Sequence, residues 1–101
     1  MTDLEITRLC AEAMGHKIAY EREGEVFLDS ALRTWYRPLH DDAQAMALVK
    51  GFRLEPRYND TLKAWFVTES YSQRIVARNA DLNHAICECV AKMQAAKGAG
   101  E

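Results

Sequence analysis

The spacing of the apolar residues changes several times along this chain, and that change limits what it can fold into. Apolar stripes at helical spacing alternate with shorter runs that have the two-residue period of strands. The helices are predicted over residues 3–14, 41–51 and 80–96, a hairpin over 16–29, and further strands near 53–58, 61–69 and 73–77. This order predicts the α+β class, with three helices packed on a small, mostly antiparallel sheet in an arrangement similar to an αβα sandwich.

The length and composition predict one domain. The chain has 101 residues, of which 49% are hydrophobic and 28% charged, and a chain of this size has room for a single core. We expect this domain to span residues 1–97 and residues 98–101 to form a flexible tail. No stretch reaches the roughly 18 apolar residues of a membrane span, and no signal peptide is apparent, so we expect a cytoplasmic protein without a membrane partner.

The cysteines predict core packing. Cys10, Cys87 and Cys89 make an odd number, which suits a reducing compartment. Cys87 and Cys89 are two positions apart on a predicted helix and point about 200° apart, so they cannot hold one metal ion. The histidines show no ligand spacing around them. We therefore predict no metal and no cofactor, and we place Cys10 and Cys89 in the core as small apolar residues.

The charges are unevenly distributed. The chain has 13 basic and 15 acidic side chains, a net charge of −2, which argues against general DNA binding. Residues 1–29 carry 3 basic and 7 acidic groups, net −4, whereas residues 30–80 carry 8 basic and 5 acidic groups, net +3. Most of the arginines and aromatic residues lie in the positive segment, and together these side chains recognise anions, nucleotides and protein partners.

The candidate binding residues come from this positive segment. They are Arg33, Trp35, Tyr36, Arg37, His40, Arg53, Arg57, Tyr58, Arg74 and Arg78. The first four precede the predicted helix over residues 41–51, where a helix N-terminus could help to bind an anion. Asp41 and Asp42 oppose this reading, since their carboxylates would repel a phosphate there. The alternative is that the rings are core residues and the arginines form a solvated face.

Two groups of residues were considered for catalysis. His40 lies beside Asp41 and Asp42, and His84 stands one helical turn from Cys87. Neither group has a third supporting residue or the strained turn that activates a nucleophile. We therefore predict a non-enzymatic protein.

Residues 35–46 resemble an aromatic-x-Pro-x-x-Asp-x-x-x-Ala helix entry, and residues 80–90 resemble a C-terminal helix that carries Ala-Ile-Cys. With these two stretches the chain resembles the phage ABA sandwich domain family, a group of small proteins of tailed phages and prophages. A single strand tryptophan, Trp65, adds to the likeness, whereas Gly15-His16 stands where the family has Gly-Trp. The resemblance implies phage origin, a sandwich fold and a location in the host cytoplasm. The family has no settled activity to carry over.

The function expected from these features is counter-defence by a phage or prophage accessory protein. Such a protein would bind and sequester a host immune nucleotide signal through ring stacking and arginine contacts, in an oligomer that closes a pocket between subunits. One alternative is direct inhibition of a host defence protein by an aromatic and arginine hot spot. The other is association with nucleic acid during phage replication or packaging.

Overall fold

A computed structural model of the protein describes residues 1–22, 25–28, 35–69 and 76–99. Its principal extents are 41 × 30 × 23 Å. The helices are α1 (Asp3–Ala13), α2 (Asp42–Phe52) and α3 (Leu82–Ala99). The strands are β1 (Ile18–Arg22), β2 (Glu25–Leu28), β3 (Trp35–Tyr36), β4 (Leu54–Asn59), β5 (Ala64–Glu69) and β6 (Val76–Asn79).

The predicted α+β class with three helices is confirmed, and the strands divide into two sheets. Sheet A has the order β1-β2-β3 and sheet B the order β4-β5-β6, and all neighbouring strands are antiparallel. The sequence predicted one sheet and a loop over residues 30–40, but Trp35 and Tyr36 pair with Phe27 and Val26 as a third strand. The pairing of these two residues completes sheet A before α2 begins.

The sequence predicts that a polar side chain caps the start of each helix: Thr2 or Asp3 for α1, Asp41 or His40 for α2, and Asn79 or Asp81 for α3. The Thr2 hydroxyl accepts a hydrogen bond from the Glu5 amide at the start of α1, and the Asp41 carboxylate accepts one from Gln44 at the start of α2. Asp81 does the same for His84 at the start of α3. These acceptors satisfy amides that have no partner within the helix.

The helix ends follow the sequence less closely. The sequence predicts that Gly15 ends α1 and that Gly51 ends α2. Gly15 does end α1, with a positive φ of 76° that a side chain would disfavour. In α2 the left-handed residue is Arg53 rather than Gly51, with a φ of 52°. Gly51 lies inside the helix, and a methyl group there would stand 3.6 Å from the sulfur of Met14. Helix α3 continues beyond residue 96 through Ala99, and residues 100–101 lie outside the described residues.

Helix α3 occupies the centre of the molecule. It packs against α1, α2 and all three strands of sheet B. The sequence predicts a buried stripe on α3 made of Leu82, Ala85, Ile86, Cys89, Val90 and Met93. All six are buried or packed against the core, and Cys87 and Ala91, which lie off that stripe, are buried as well. Because α3 is buried on most sides, the residues in its middle turns are mostly small and apolar and do not follow an amphipathic pattern.

Sheet B shows its inner face to α3. Val67 and Ala77 are fully buried there, and Leu54 is nearly so. Pro56 predicts an edge position for the strand over residues 53–58, because proline lacks the amide that a central strand needs. Pro56 lies in β4, and β4 is an edge strand of sheet B. Leu62, predicted to lie in the strand over 61–69, belongs instead to the β4–β5 turn and is 49% exposed. The first part of the predicted strand 73–77 lies outside the described residues.

The apolar stripe of α2 gives a direct test of the packing. The spacing of the apolar residues predicts a buried stripe on α2 made of Ala45, Met46, Val49 and Phe52. Instead, Leu48 is 0% exposed and Met46 is 43% exposed. We expect Leu48→Ala to lower the free energy of unfolding by about 2–5 kcal/mol, because it leaves a cavity in the core. Met46→Ala on the same helix should cost less than about 1 kcal/mol. Urea denaturation checks both values, and equal losses would contradict the observed orientation of α2.

Candidate functional site

The outer face of sheet B carries two arginines on either side of a phenylalanine. Arg57 on β4 is paired with Phe66 on β5, and Phe66 is paired with Arg78 on β6. The guanidinium of Arg78 lies 5.9 Å from the centre of the Phe66 ring. We call these three residues the arginine face.

Strand alternation puts all three side chains on one side. Val67 and Ala77 are buried against the core, so their neighbours Phe66 and Arg78 must point to the opposite face. Arg57 stands directly across from Phe66 and shares that face. Since adjacent strands lie about 4.8 Å apart, the two arginine backbones are separated by roughly 10 Å, with the ring between them.

The electrostatics of the arginine face favour an anion. Arg57 and Arg78 are exposed, and Phe66 is half-buried. Glu55, two positions before Arg57, forms an ion pair with it at 3.4 Å, and both side chains are solvated. An exposed pair of this kind contributes little to stability, so the Arg57 guanidinium can exchange Glu55 for a ligand anion at low cost.

The outer face of sheet A carries a row of three aromatic rings. Tyr20, Phe27 and Trp35 are cross-strand neighbours on β1, β2 and β3. The Tyr20 and Phe27 rings are stacked with their centres 5.0 Å apart, and Trp35 meets both rings edge-on at 5.7 and 5.1 Å. Tyr20 is 56% exposed, and Phe27 and Trp35 are half-buried. We call this row the aromatic face.

A charged pair lies next to this row. The Arg22 guanidinium stacks on the Trp35 ring, 3.8 Å from its centre, and also pairs with Glu25 across the β1–β2 hairpin. Charge and composition did not select Tyr20, Phe27 and Arg22, because these residues lie in the acidic first segment. The available signal was the position of Phe27 between Val26 and Leu28, which puts its side chain on the opposite face of the strand from theirs.

The candidate residues before α2 that the structure describes do not converge on a charged site. Tyr36 is buried on the inner side of sheet A, where its ring meets His16 edge-on. Arg37 and His40 are exposed and take part in the turn that leads into α2 through backbone hydrogen bonds. The Gln44 side chain donates to the Trp35 carbonyl and accepts from the Arg37 amide, which joins β3 to α2.

Beside Tyr36 there is a cleft of about 240 Å³ between α1, sheet A and α2. Its lining residues are Met14, His16, Leu28, Tyr36, Ala43, Gln44 and Ala47. Among the residues that the structure describes, this lining is mainly apolar and includes no arginine, and the amide of Gln44 is already engaged. The cleft therefore offers little to a phosphate.

The other candidate binding residues are dispersed. Arg53 ends α2 in a left-handed conformation. Tyr58 lies on the inner side of sheet B, edge-on to Trp65 at 5.2 Å and 48% exposed. Arg33 and Arg74 lie outside the described residues. Of the ten candidates, the described structure thus brings Arg57 and Arg78 together on one face.

The residues considered for catalysis have structural partners. The Asp41 carboxylate caps α2, and that of Asp42 accepts a hydrogen bond from Asn83 at 2.8 Å. His84 is half-buried, with its Nδ1 atom 3.1 Å from the side-chain nitrogen of Asn79. Cys87 faces the core and does not form a nucleophilic pair with His84 at the surface.

The buried cysteines form part of the contact between α1 and α3. The Cys10 thiol donates to the Cys87 carbonyl oxygen at 3.3 Å. A hydrogen bond with Cys10 and burial raise the pKa of the Cys87 thiol far above its ordinary range. Burial raises the pKa of the Cys89 thiol to about 11. Burial likewise raises the pKa of Tyr36, whose hydroxyl has no hydrogen-bond partner among the described residues.

The placement of Cys10 and Cys89 in the core is confirmed. Within the described part of the chain, no group of three or more histidine, cysteine or acidic side chains is arranged to hold a metal ion. None of the described helices is long and apolar enough to cross a membrane.

Comparisons with protein-family profiles, with curated proteins and with solved structures give no match for this chain. The resemblance to the phage ABA sandwich domain family therefore stays a prediction from the sequence.

The raised pKa of Cys89 predicts how stability changes at alkaline pH. The folded protein keeps the thiol proton until about pH 11, whereas the unfolded chain loses it near the ordinary value of 9.0. The unfolded state therefore binds fewer protons in this window, and stability falls as the pH rises. The free energy of unfolding of the wild-type protein should fall between pH 8 and 11, and replacing Cys89 with alanine should remove about 2 kcal/mol of that fall.

Urea denaturation at several pH values measures this slope for the wild-type protein and for Cys89→Ala. The informative quantity is the change with pH, since the alanine variant will have its own lower baseline. Identical slopes in the two proteins would show that Cys89 does not titrate as its burial requires.

Proposed function

We propose that this protein is a non-enzymatic binding protein that takes a nucleotide on the arginine face. The observation that carries the proposal is the cross-strand row of Arg57, Phe66 and Arg78. A half-buried phenyl ring between two exposed guanidinium groups combines an aromatic platform with phosphate-binding charges.

The two parts of a nucleotide match the two kinds of side chain. A base can stack on the exposed part of the Phe66 ring, an interaction worth about 1–3 kcal/mol. Arg57 and Arg78 can then donate to phosphate oxygens from either side, and arginine forms such bonds in a bidentate manner. In this arrangement Arg78 leaves the Phe66 ring and Arg57 leaves Glu55.

A small ligand fits the arginine face better than a long nucleic acid. The net charge of the chain is −2, and Glu55 lies beside Arg57 on the same face. A backbone of many phosphates gains from a continuous positive surface, whereas one nucleotide needs only a ring and one or two cations. The arginine face extends over no more than the three strands of sheet B, so its size suits the smaller ligand.

The biological setting of the proposal comes from the sequence resemblance. We assign the protein to a phage or prophage and to the cytoplasm of its bacterial host, where it would sequester an immune nucleotide signal. Binding without catalysis fits this role, because tight binding lowers the concentration of free nucleotide in the cell without cleaving it.

Binding should depend on the two arginines together. We expect cyclic dinucleotides or ADP-ribose to bind wild-type protein in isothermal titration calorimetry, and Arg57→Ala/Arg78→Ala to weaken that binding by about 100-fold, from the loss of two charge-assisted contacts. Arg37→Ala is the matched control, since Arg37 is also exposed but lies in the turn between β3 and α2 and not on a strand of sheet B. It should leave the affinity within about twofold.

Mass spectrometry of small molecules that co-purify with the protein from bacterial lysate would identify the natural ligand. Nucleotide retention that is lost in the double variant supports the proposal. Equal retention by the wild-type protein and the double variant would move the site away from the arginine face. Tighter binding of a labelled single-stranded oligonucleotide than of any mononucleotide or dinucleotide, with a steep salt dependence, would favour nucleic-acid association instead.

A further inference from the structure

We propose that the aromatic face of sheet A is the interface with a second copy of this chain. This interface is separate from the arginine face, which lies on the other sheet. The inference rests on the register of the β1–β2 hairpin and on the charges that the hairpin carries.

The hairpin presents two matched rows on its outer side. Tyr20 stands directly opposite Phe27, and at the next outward position Arg22 stands opposite Glu25. Each row therefore contains one residue from β1 and one from β2. The first row is aromatic, and the second row contains one positive and one negative charge.

These rows are complementary to themselves. Consider a two-fold axis parallel to the strands, between β1 and β2, at the mid-plane of two sheets packed face to face. This rotation sets β1 of one copy against β2 of the other, so Tyr20 meets the partner's Phe27 and Arg22 meets the partner's Glu25. Both contacts then occur twice, as a two-fold interface requires.

The geometry is an ordinary one for sheets. Two sheets packed face to face lie about 10 Å apart with their strands nearly aligned, a gap that aromatic side chains can fill. Of the three rings in the row, Tyr20 is the most exposed, at 56% in the single chain. It therefore has the most surface to bury in the interface. Trp35 extends the aromatic row on β3, and its ring already supports Arg22 from one side.

The charges favour a second copy over a partner of one sign. The charges of Arg22 and Glu25 neutralise each other on this face. A strongly acidic or strongly basic protein therefore gains no net electrostatic attraction from it. A copy of the same hairpin, by contrast, presents an acceptor to Arg22 and a donor to Glu25 at the same time.

Light scattering coupled to size-exclusion chromatography tests the interface. We expect the wild-type protein to have the mass of two chains and Tyr20→Ala to raise the dimer dissociation constant by about tenfold or more. Tyr58→Ala is the matched control, because Tyr58 is also an exposed tyrosine, at 48%, but belongs to sheet B. It should leave the dimer unchanged.

Charge reversal tests the register independently of the aromatic contacts. Arg22→Glu alone makes the charged row entirely acidic, and Glu25→Arg alone makes it entirely basic, so each variant should be monomeric. An equimolar mixture of the two should form a dimer again, because every acidic side chain then meets a basic one across the two-fold axis. Circular dichroism verifies that each variant is folded.

Three results would overturn the proposal. They are a wild-type protein that stays monomeric at high micromolar concentration, a dimer that Tyr20→Ala and Tyr58→Ala affect equally, and folded charge variants that remain monomeric when mixed. None of these results bears on nucleotide binding, which is measured through Arg57 and Arg78 on the other sheet.

Discussion

The burial of helix α3 organises the packing of α1, α2 and sheet B. Both other helices and the inner face of sheet B pack against it. The side chains of Ile86, Cys87, Cys89 and Val90 in its middle turns are therefore buried. The Cys10 thiol joins α1 to the α3 backbone through a hydrogen bond to Cys87. With its inner face against α3, sheet B has its opposite face free to carry polar side chains.

The same division into inner and outer faces governs sheet A. Val26, Leu28 and Tyr36 enter the core, so the residues between them must point outward. The two outer faces differ in their chemistry. Sheet A presents stacked rings beside an internally neutralised charge pair, whereas sheet B presents two exposed arginines around one ring. This difference suggests two kinds of contact, one with a second copy and one with an anionic ligand.

Local signals made much of the fold predictable. The stripe of Ile6 and Cys10, the caps Thr2, Asp41 and Asp81, and the stop at Gly15 depend on residues close in sequence. The orientation of α2 was harder to predict. Both Met46 and Leu48 are apolar, and only the positions of α3 and the sheets decide that Leu48 faces inward and Met46 outward.

The candidate site was predictable only in part, because it too depends on how distant segments pair. Arg57 and Arg78 could be selected by composition, but their pairing across Phe66 depends on the strand register. The aromatic face was missed because Tyr20 and Phe27 lie in an acidic segment, although they are close in space to Trp35.

Periodicity and neighbours a few residues away predict the α+β class, the order of the helices and most strands, and the short segment that holds each helix cap. The division of the strands into two sheets, the burial of α3 on most sides and the grouping of side chains on shared faces are seen only in the folded molecule. Those outcomes depend on pairing between distant segments, where a shift of one residue would turn every side chain to the other face.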